Sequence, residues 1–169
     1  MTEYSRPATF EDLKTLLRSF HEHGVEYLLV GGYALAAHGY PRATVDIDVV
    51  VPASIQAGRK VKAALMVLPD QAAKDLEVEW FEAGDNIRVA DAFVVDLLLT
   101  ANGQTYETLN RYAEVIDVDG IPVRTITLDG LLLTKQTLRE KDAPDRLVIE
   151  RALSLLRGSA EQDDQPKNH

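Results

Sequence analysis

Two apolar runs constrain this chain more than any other feature. Val45-Asp46-Ile47-Asp48-Val49-Val50-Val51 and Phe93-Val94-Val95-Asp96-Leu97-Leu98-Leu99 have the length and branched-residue content of buried strands, yet both carry carboxylates. Asp46 and Asp48, at i and i+2 of a strand, point to the same face, where like charges repel. An ionised carboxylate left unpaired in apolar surroundings costs several kcal/mol, so something must compensate all three. A divalent cation with oxygen ligands is the simplest candidate for the pair. The alternatives are an edge strand with a solvated acidic face, which the flanking valines fit poorly, and for Asp96 an ion pair with Arg88 or Lys135. If the two strands are neighbours, the three aspartates form a cluster suited to two divalent ions acting on a phosphoryl group.

The rest of the chain reads as alternating elements. Thr9 and Asp12 form a variant capping box ahead of Phe10, Leu13, Leu16, Leu17 and Phe20, which predicts a helix over about 10–23 ended by Gly24. Val25–Val30 reads as a buried strand entering a turn at Gly31-Gly32, followed by a short helix over Tyr33–His38. A strand over Thr44–Val51, a helix over Ile55–Leu68 and strands over Leu76–Phe81, Ile87–Val89 and Phe93–Leu99 come next. Asp119-Gly120 between Ala113–Val118 and Ile121–Val123 is a strong hairpin signal. Leu128–Leu138 and Pro144–Leu155 read as closing helices, and 158–169 as a polar, disordered tail. The pattern predicts one α/β (α+β) domain over 1–157, a mixed β-sheet flanked by helices with a short C-terminal helical pair.

Composition removes several function classes. The 169 residues and 46% hydrophobic content support one buried core. With no cysteine, disulfides, thiolate zinc sites and a cysteine nucleophile are excluded. No apolar run has signal-peptide or membrane-spanning length, and the expectation is a soluble, cytoplasmic protein without a membrane partner. A net charge of −9 argues against broad non-specific nucleic-acid binding. The stretch Lys135–Arg157 is nevertheless locally cationic, with six basic residues against four acidic ones, which leaves tRNA open.

The run Gly31-Gly32-Tyr33-Ala34-Leu35-Ala36-Ala37-His38-Gly39, followed by Arg42, Thr44 and Asp46-Ile47-Asp48, resembles the signature of the DNA polymerase β-type nucleotidyltransferase superfamily. Within it the likeness is greatest to small bacterial nucleotidyltransferases of abortive-infection and toxin–antitoxin systems. It covers Val25–Leu99 well and the Lys135 region more loosely. The resemblance implies a nucleotidyltransferase fold in which Gly31, Gly32 and the helix begun by Tyr33 hold a nucleoside triphosphate. It further implies that Asp46 and Asp48 bind two Mg²⁺ (or Mn²⁺) ions, that Asp96 completes the site, and that Lys135 lies near the nucleotide. The implied reaction moves a nucleoside monophosphate from the triphosphate to an acceptor hydroxyl on RNA, protein or a small molecule. A toxin role with an antitoxin protein as partner follows from the same likeness.

Other residues carry two readings each. Arg42 and Thr44 can contact phosphate through charge-assisted hydrogen bonds, and Arg42 can equally pair with the carboxylates. His38, ending a short helix, reads as structural. Lys135 and Arg139 share one side of their helix, and Asp142 has the spacing of an N-cap with Asp145 as its capping-box partner. Two functions compete with nucleotidyl transfer: a catalytically silent nucleotide- or partner-binding module, and a sugar transferase holding a nucleotide-sugar through its Asp-x-Asp pair.

Overall fold

In the computed structural model, residues 5–40, 46–134 and 149–156 are described. Arg42, Thr44, Lys135, Arg139, Asp142, Asp145 and the tail over 158–169 lie outside them. Helix α1 (Phe10–Glu22) begins at the capping box read from the sequence: Thr9 accepts from the Asp12 amide and Asp12 accepts from the Thr9 amide at 2.8 Å. Strand β1 (Leu28–Val30) runs directly into α2 (Gly31–Ala37), and β2 (Ile47–Val50) returns antiparallel to β1. Helix α3 (Ile55–Leu65) and α4 (Glu79–Ala83) precede strands β3 (Ile87–Ala90) and β4 (Val94–Leu98). A short α5 (Tyr106–Leu109) leads to the hairpin β5 (Ala113–Val118) and β6 (Ile121–Ile126), then α6 (Leu128–Thr134) and a helical stretch over 149–156.

The six strands form one mixed sheet in the order β3-β4-β2-β1-β6-β5. β2 pairs parallel with β4 and β1 pairs parallel with β6, while the β1–β2, β3–β4 and β5–β6 pairs are antiparallel. This is the mixed α/β domain that the sequence pattern predicts. β2 lies inside the sheet with a partner on each side, so the edge-strand reading of Asp46 and Asp48 is excluded. In the β3-β4-β2 half, Ile47, Val49, Ile87, Val89, Val95 and Leu97 are buried and alternate with Asp48, Arg88 and Asp96 on the opposite face.

Helices α1, α3 and α4 pack together. Ser19 of α1 donates to the Ala64 carbonyl of α3 at 2.7 Å, and Phe81 of α4 lies so close over Gly58 of α3 that an added Cβ would meet its ring at 2.7 Å. Leu76–Phe81 does not form the strand expected from the sequence. Leu76 follows a 3-10 turn (Ala72–Asp75), and Glu79–Ala83 is helical, stopped by Gly84 at φ +81. The apolar residues at 76, 78 and 81 imitate a strand locally, but seating Phe81 on Gly58 decides the segment. Asp119 and Gly120 both have positive φ, as the tight hairpin turn requires, and Lys14 of α1 reaches the Asp119 carboxylate at 3.1 Å. Among the described residues no helix is long and apolar enough to cross a membrane.

Asp91, between β3 and β4, is a buried carboxylate with a structural task. It accepts from the backbone amides of Asp70 (2.8 Å), Ala72 (2.9 Å) and Ala92 (2.7 Å), which fixes the loop ahead of the 3-10 turn to the sheet. Asp91→Ala strips three amides of their acceptor and is expected to lower unfolding stability by roughly 3 kcal/mol. A urea midpoint within error of the parent's would show that the loop is held by other means.

Candidate active site

The parallel register of β2 and β4 sets Asp48 directly beside Asp96, and the antiparallel register of β3 and β4 sets Arg88 on the other side of Asp96. Asp48, Asp96 and Arg88 therefore form one cross-strand row, with Asp46 just ahead of β2 and two residues before Asp48. Adjacent strands are only about 4.8 Å apart, so two aspartates in register repel unless a cation intervenes. The Arg88 guanidinium stands on the far side of Asp96 and joins it to Asp46. Arg88 Nη2 donates to Asp46 Oδ2 at 3.0 Å, Nε donates to Asp96 Oδ1 at 3.0 Å, and Nη2 reaches Asp96 Oδ2 at 3.4 Å. The Asp46 and Asp96 side chains are half-buried, 24% and 19% exposed, whereas that of Arg88 on the outer strand is 64% exposed.

Electrostatics follow from that packing. Burial pushes the Asp46 carboxyl above its ordinary value of 3.8, the charge and hydrogen-bonding proximity of Asp96 push the same way, and Arg88 opposes them. The Arg88 guanidinium is held more firmly protonated, first by its hydrogen bond to Asp96 and then by the charges of Asp96, Asp46 and Asp48. Of the compensations that the sequence left open for Asp96, the ion pair with Arg88 is present.

Gly31 closes the other side of the row. Its φ of +70 lies in the left-handed region, and a Cβ at this position would stand 2.3 Å from Asp48 Oδ2. Backbone and carboxylate approach here as only glycine permits. Tyr33, Ala34 and Leu35 of α2 face inward. Tyr33 is buried, its hydroxyl donates to the Ala8 carbonyl, and its ring meets Phe10 edge-to-face at 5.4 Å, so its side chain is spent on packing. His38 ties α2 to β6 by a 2.7 Å contact between Nε2 and the Ile126 carbonyl, the structural role read from the sequence.

Asp46, Asp48, Asp96 and Gly31 thus meet at one place, while Arg42, Thr44 and Lys135 lie outside the described residues. Among the described residues no group of three or more His, Asp or Glu side chains is arranged around a common point as a metal cage. The residue whose part was least legible is Arg88. Its alternation with Ile87 and Val89 on a short strand pointed it to the polar face, but its place beside Asp96 depends on register.

No protein-family profile matches the chain, and no curated protein resembles it in sequence. Among solved structures, the chain resembles a Thermotoga maritima protein described as a candidate nucleotidyltransferase. The match has 13% identity and a TM-score of 0.48 over 92% of this chain and 97% of the other. A likeness at this level leaves the chemistry to be read from the residues themselves.

Two predictions follow from the geometry. Gly31→Ala forces a left-handed alanine against a carboxylate and is expected to cost at least about 2 kcal/mol, read from the denaturation midpoint. An unchanged midpoint would mean that neither the left-handed backbone at residue 31 nor its approach to Asp48 is strained by a methyl group. For Asp46, a folded pKa above the unfolded one means that the folded state holds the proton more tightly. Stability therefore falls as pH rises from about 3.8 through the folded value. In EDTA, Asp46→Asn is expected to outlast the parent in urea at neutral pH and to converge with it near about pH 3. A parent more stable than the variant at neutral pH would reverse the sign.

Proposed function

We propose that this protein is a metal-dependent nucleotidyltransferase that moves a nucleoside monophosphate from a nucleoside triphosphate to an acceptor hydroxyl. The observation that carries the reading is the in-register pair Asp48 and Asp96, with Asp46 joined to Asp96 through Arg88 and Gly31 pressed against Asp48. The donor set is entirely oxygen, which suits Mg²⁺ or Mn²⁺. Mg²⁺ commonly takes one or two protein carboxylates and completes its shell with substrate phosphates and water, so a preformed three-ligand cage is not required. Arg88 supports the same reading as a stand-in cation, since its guanidinium bridges the two carboxylates that a metal would take.

In this reading Asp46, Asp48 and Asp96 hold the ions, which when bound lower the acceptor hydroxyl's pKa and offset the triphosphate charge. The backbone of Gly31 borders the Asp48 carboxylate, so an ion held by Asp48 would lie close to the start of α2. Arg42, Thr44 and Lys135 complete the nucleotide contacts on the strength of the sequence likeness alone. The same likeness extends the proposal to an acceptor on RNA, protein or a small molecule, and to a toxin paired with an antitoxin.

The contacts of Arg88 with Asp46 and Asp96 also fit a second reading, the catalytically silent nucleotide- or partner-binding module, in which Arg88 is the lasting partner of the carboxylates and no metal enters. Calorimetric titration of each of the four nucleoside triphosphates, with and without Mg²⁺, separates the two. The transferase reading expects binding that needs the metal and weakens at least about tenfold in Asp46→Asn/Asp48→Asn. Triphosphate binding indifferent to both supports the silent module. No binding by any of the four removes the nucleotide and leaves a scaffold for a protein partner.

A further inference from the structure

We propose that Arg88 is a resident counterion, and that its guanidinium and a divalent ion are alternative occupants of the space between Asp46 and Asp96. The inference rests on the metal-binding reading above and adds a residue to which that reading gives no part.

Arg88 engages Asp46 Oδ2 and both oxygens of Asp96, the lone pairs that a cation bound between these side chains would use. A divalent ion sits at ~2.0–2.6 Å from its oxygen ligands and cannot share those lone pairs with a guanidinium that is itself positively charged. Without either cation Asp46 and Asp96 lose the charge that now bridges them, while Asp48 stays in register beside Asp96. An empty site therefore needs a placeholder.

Arg88 is also built to leave. It stands on the outermost strand of its half of the sheet, and its side chain is 64% exposed, so withdrawal returns a largely hydrated guanidinium to water. A cleft of about 310 Å³ lined by Trp80, Asp85, Asn86, Ile87 and Arg88 itself lies beside it, and Asp85 offers a carboxylate there. An arginine serving structure alone would be expected to be as covered as the half-buried carboxylates it joins, and this one is far more exposed.

The test compares melting temperatures of the full chain, Arg88→Gln and Arg88→Lys in EDTA and in saturating Mn²⁺, with Mn²⁺ affinity read by loss of the free-ion paramagnetic signal. Arg88→Gln is expected to melt below the parent in EDTA, to close that gap in Mn²⁺, and to bind Mn²⁺ about tenfold more tightly, the reciprocal of the competition. Arg88→Lys, which keeps the charge but not the fork, falls between the two. If Arg88→Gln is unfolded in EDTA, recovery of its fold by Mn²⁺ is the same result in stronger form. A gap of equal size with and without Mn²⁺, in a parent that Mn²⁺ does stabilise, overturns the inference and leaves the metal site standing. If Mn²⁺ stabilises neither protein, and Asp46→Asn behaves alike, the metal reading fails and the inference falls with it.

Discussion

The arrangement depends on two like charges held side by side in the middle of a sheet. A parallel β2–β4 pair places Asp48 against Asp96 with no residue between them, and Asp46 adds a third carboxylate two positions away. In water such a group would spread apart; on neighbouring strands it cannot, because backbone hydrogen bonds fix the register. The fold invests its stability elsewhere, in the apolar face formed by Ile47, Val49, Val95 and Leu97 and in the layer of α1, α3 and α4, and so carries an electrostatic load at one spot. Local rules are most often broken where a protein acts, and this row is the clearest such break among the described residues.

Several features make sense once that load is granted. Gly31 begins α2 in a left-handed conformation so that the chain can turn against the Asp48 carboxylate. The outer strand β3 is short and alternates buried and exposed residues, which delivers Arg88 to the acidic face while Ile87 and Val89 hold the strand in place. Asp91, only three residues from Arg88, is neutral to this chemistry and serves the backbone instead, with three amides directed at it. Nearby carboxylates thus do unlike work because one faces amides and the others face each other.

Much of this was legible in the sequence, and the parts that were not share a cause. The capped start of α1, the Asp119-Gly120 hairpin and the two carboxylate-bearing strands are set by residues adjacent in the chain, and each lies within a few residues of where local pattern put it. The segment from Leu76 to Phe81 failed because its strand-like spacing is overruled by a contact with Gly58, some twenty positions earlier. The interior place of β2 could be argued from its valines, but the neighbourhood of β1, antiparallel to β2 and parallel to β6, could not. Asp46, Asp48, Asp96 and Gly31 were recognisable because their chemistry is out of keeping with their surroundings. The packing of the Tyr33 side chain on Phe10 and the Ala8 carbonyl was not legible, because it depends on how α1 and α2 meet.

The position of Trp80 gives the molecule a built-in observer. It is the only tryptophan in the chain, nearly half exposed, and it lines the same cleft as Arg88. An indole in such a place emits according to how much water and charge surround it, and no second indole dilutes its signal. Events at the acidic row can therefore be followed by the protein's own light, unlabelled and in real time, on a chain that also has no cysteine to complicate attaching a second dye at a chosen site.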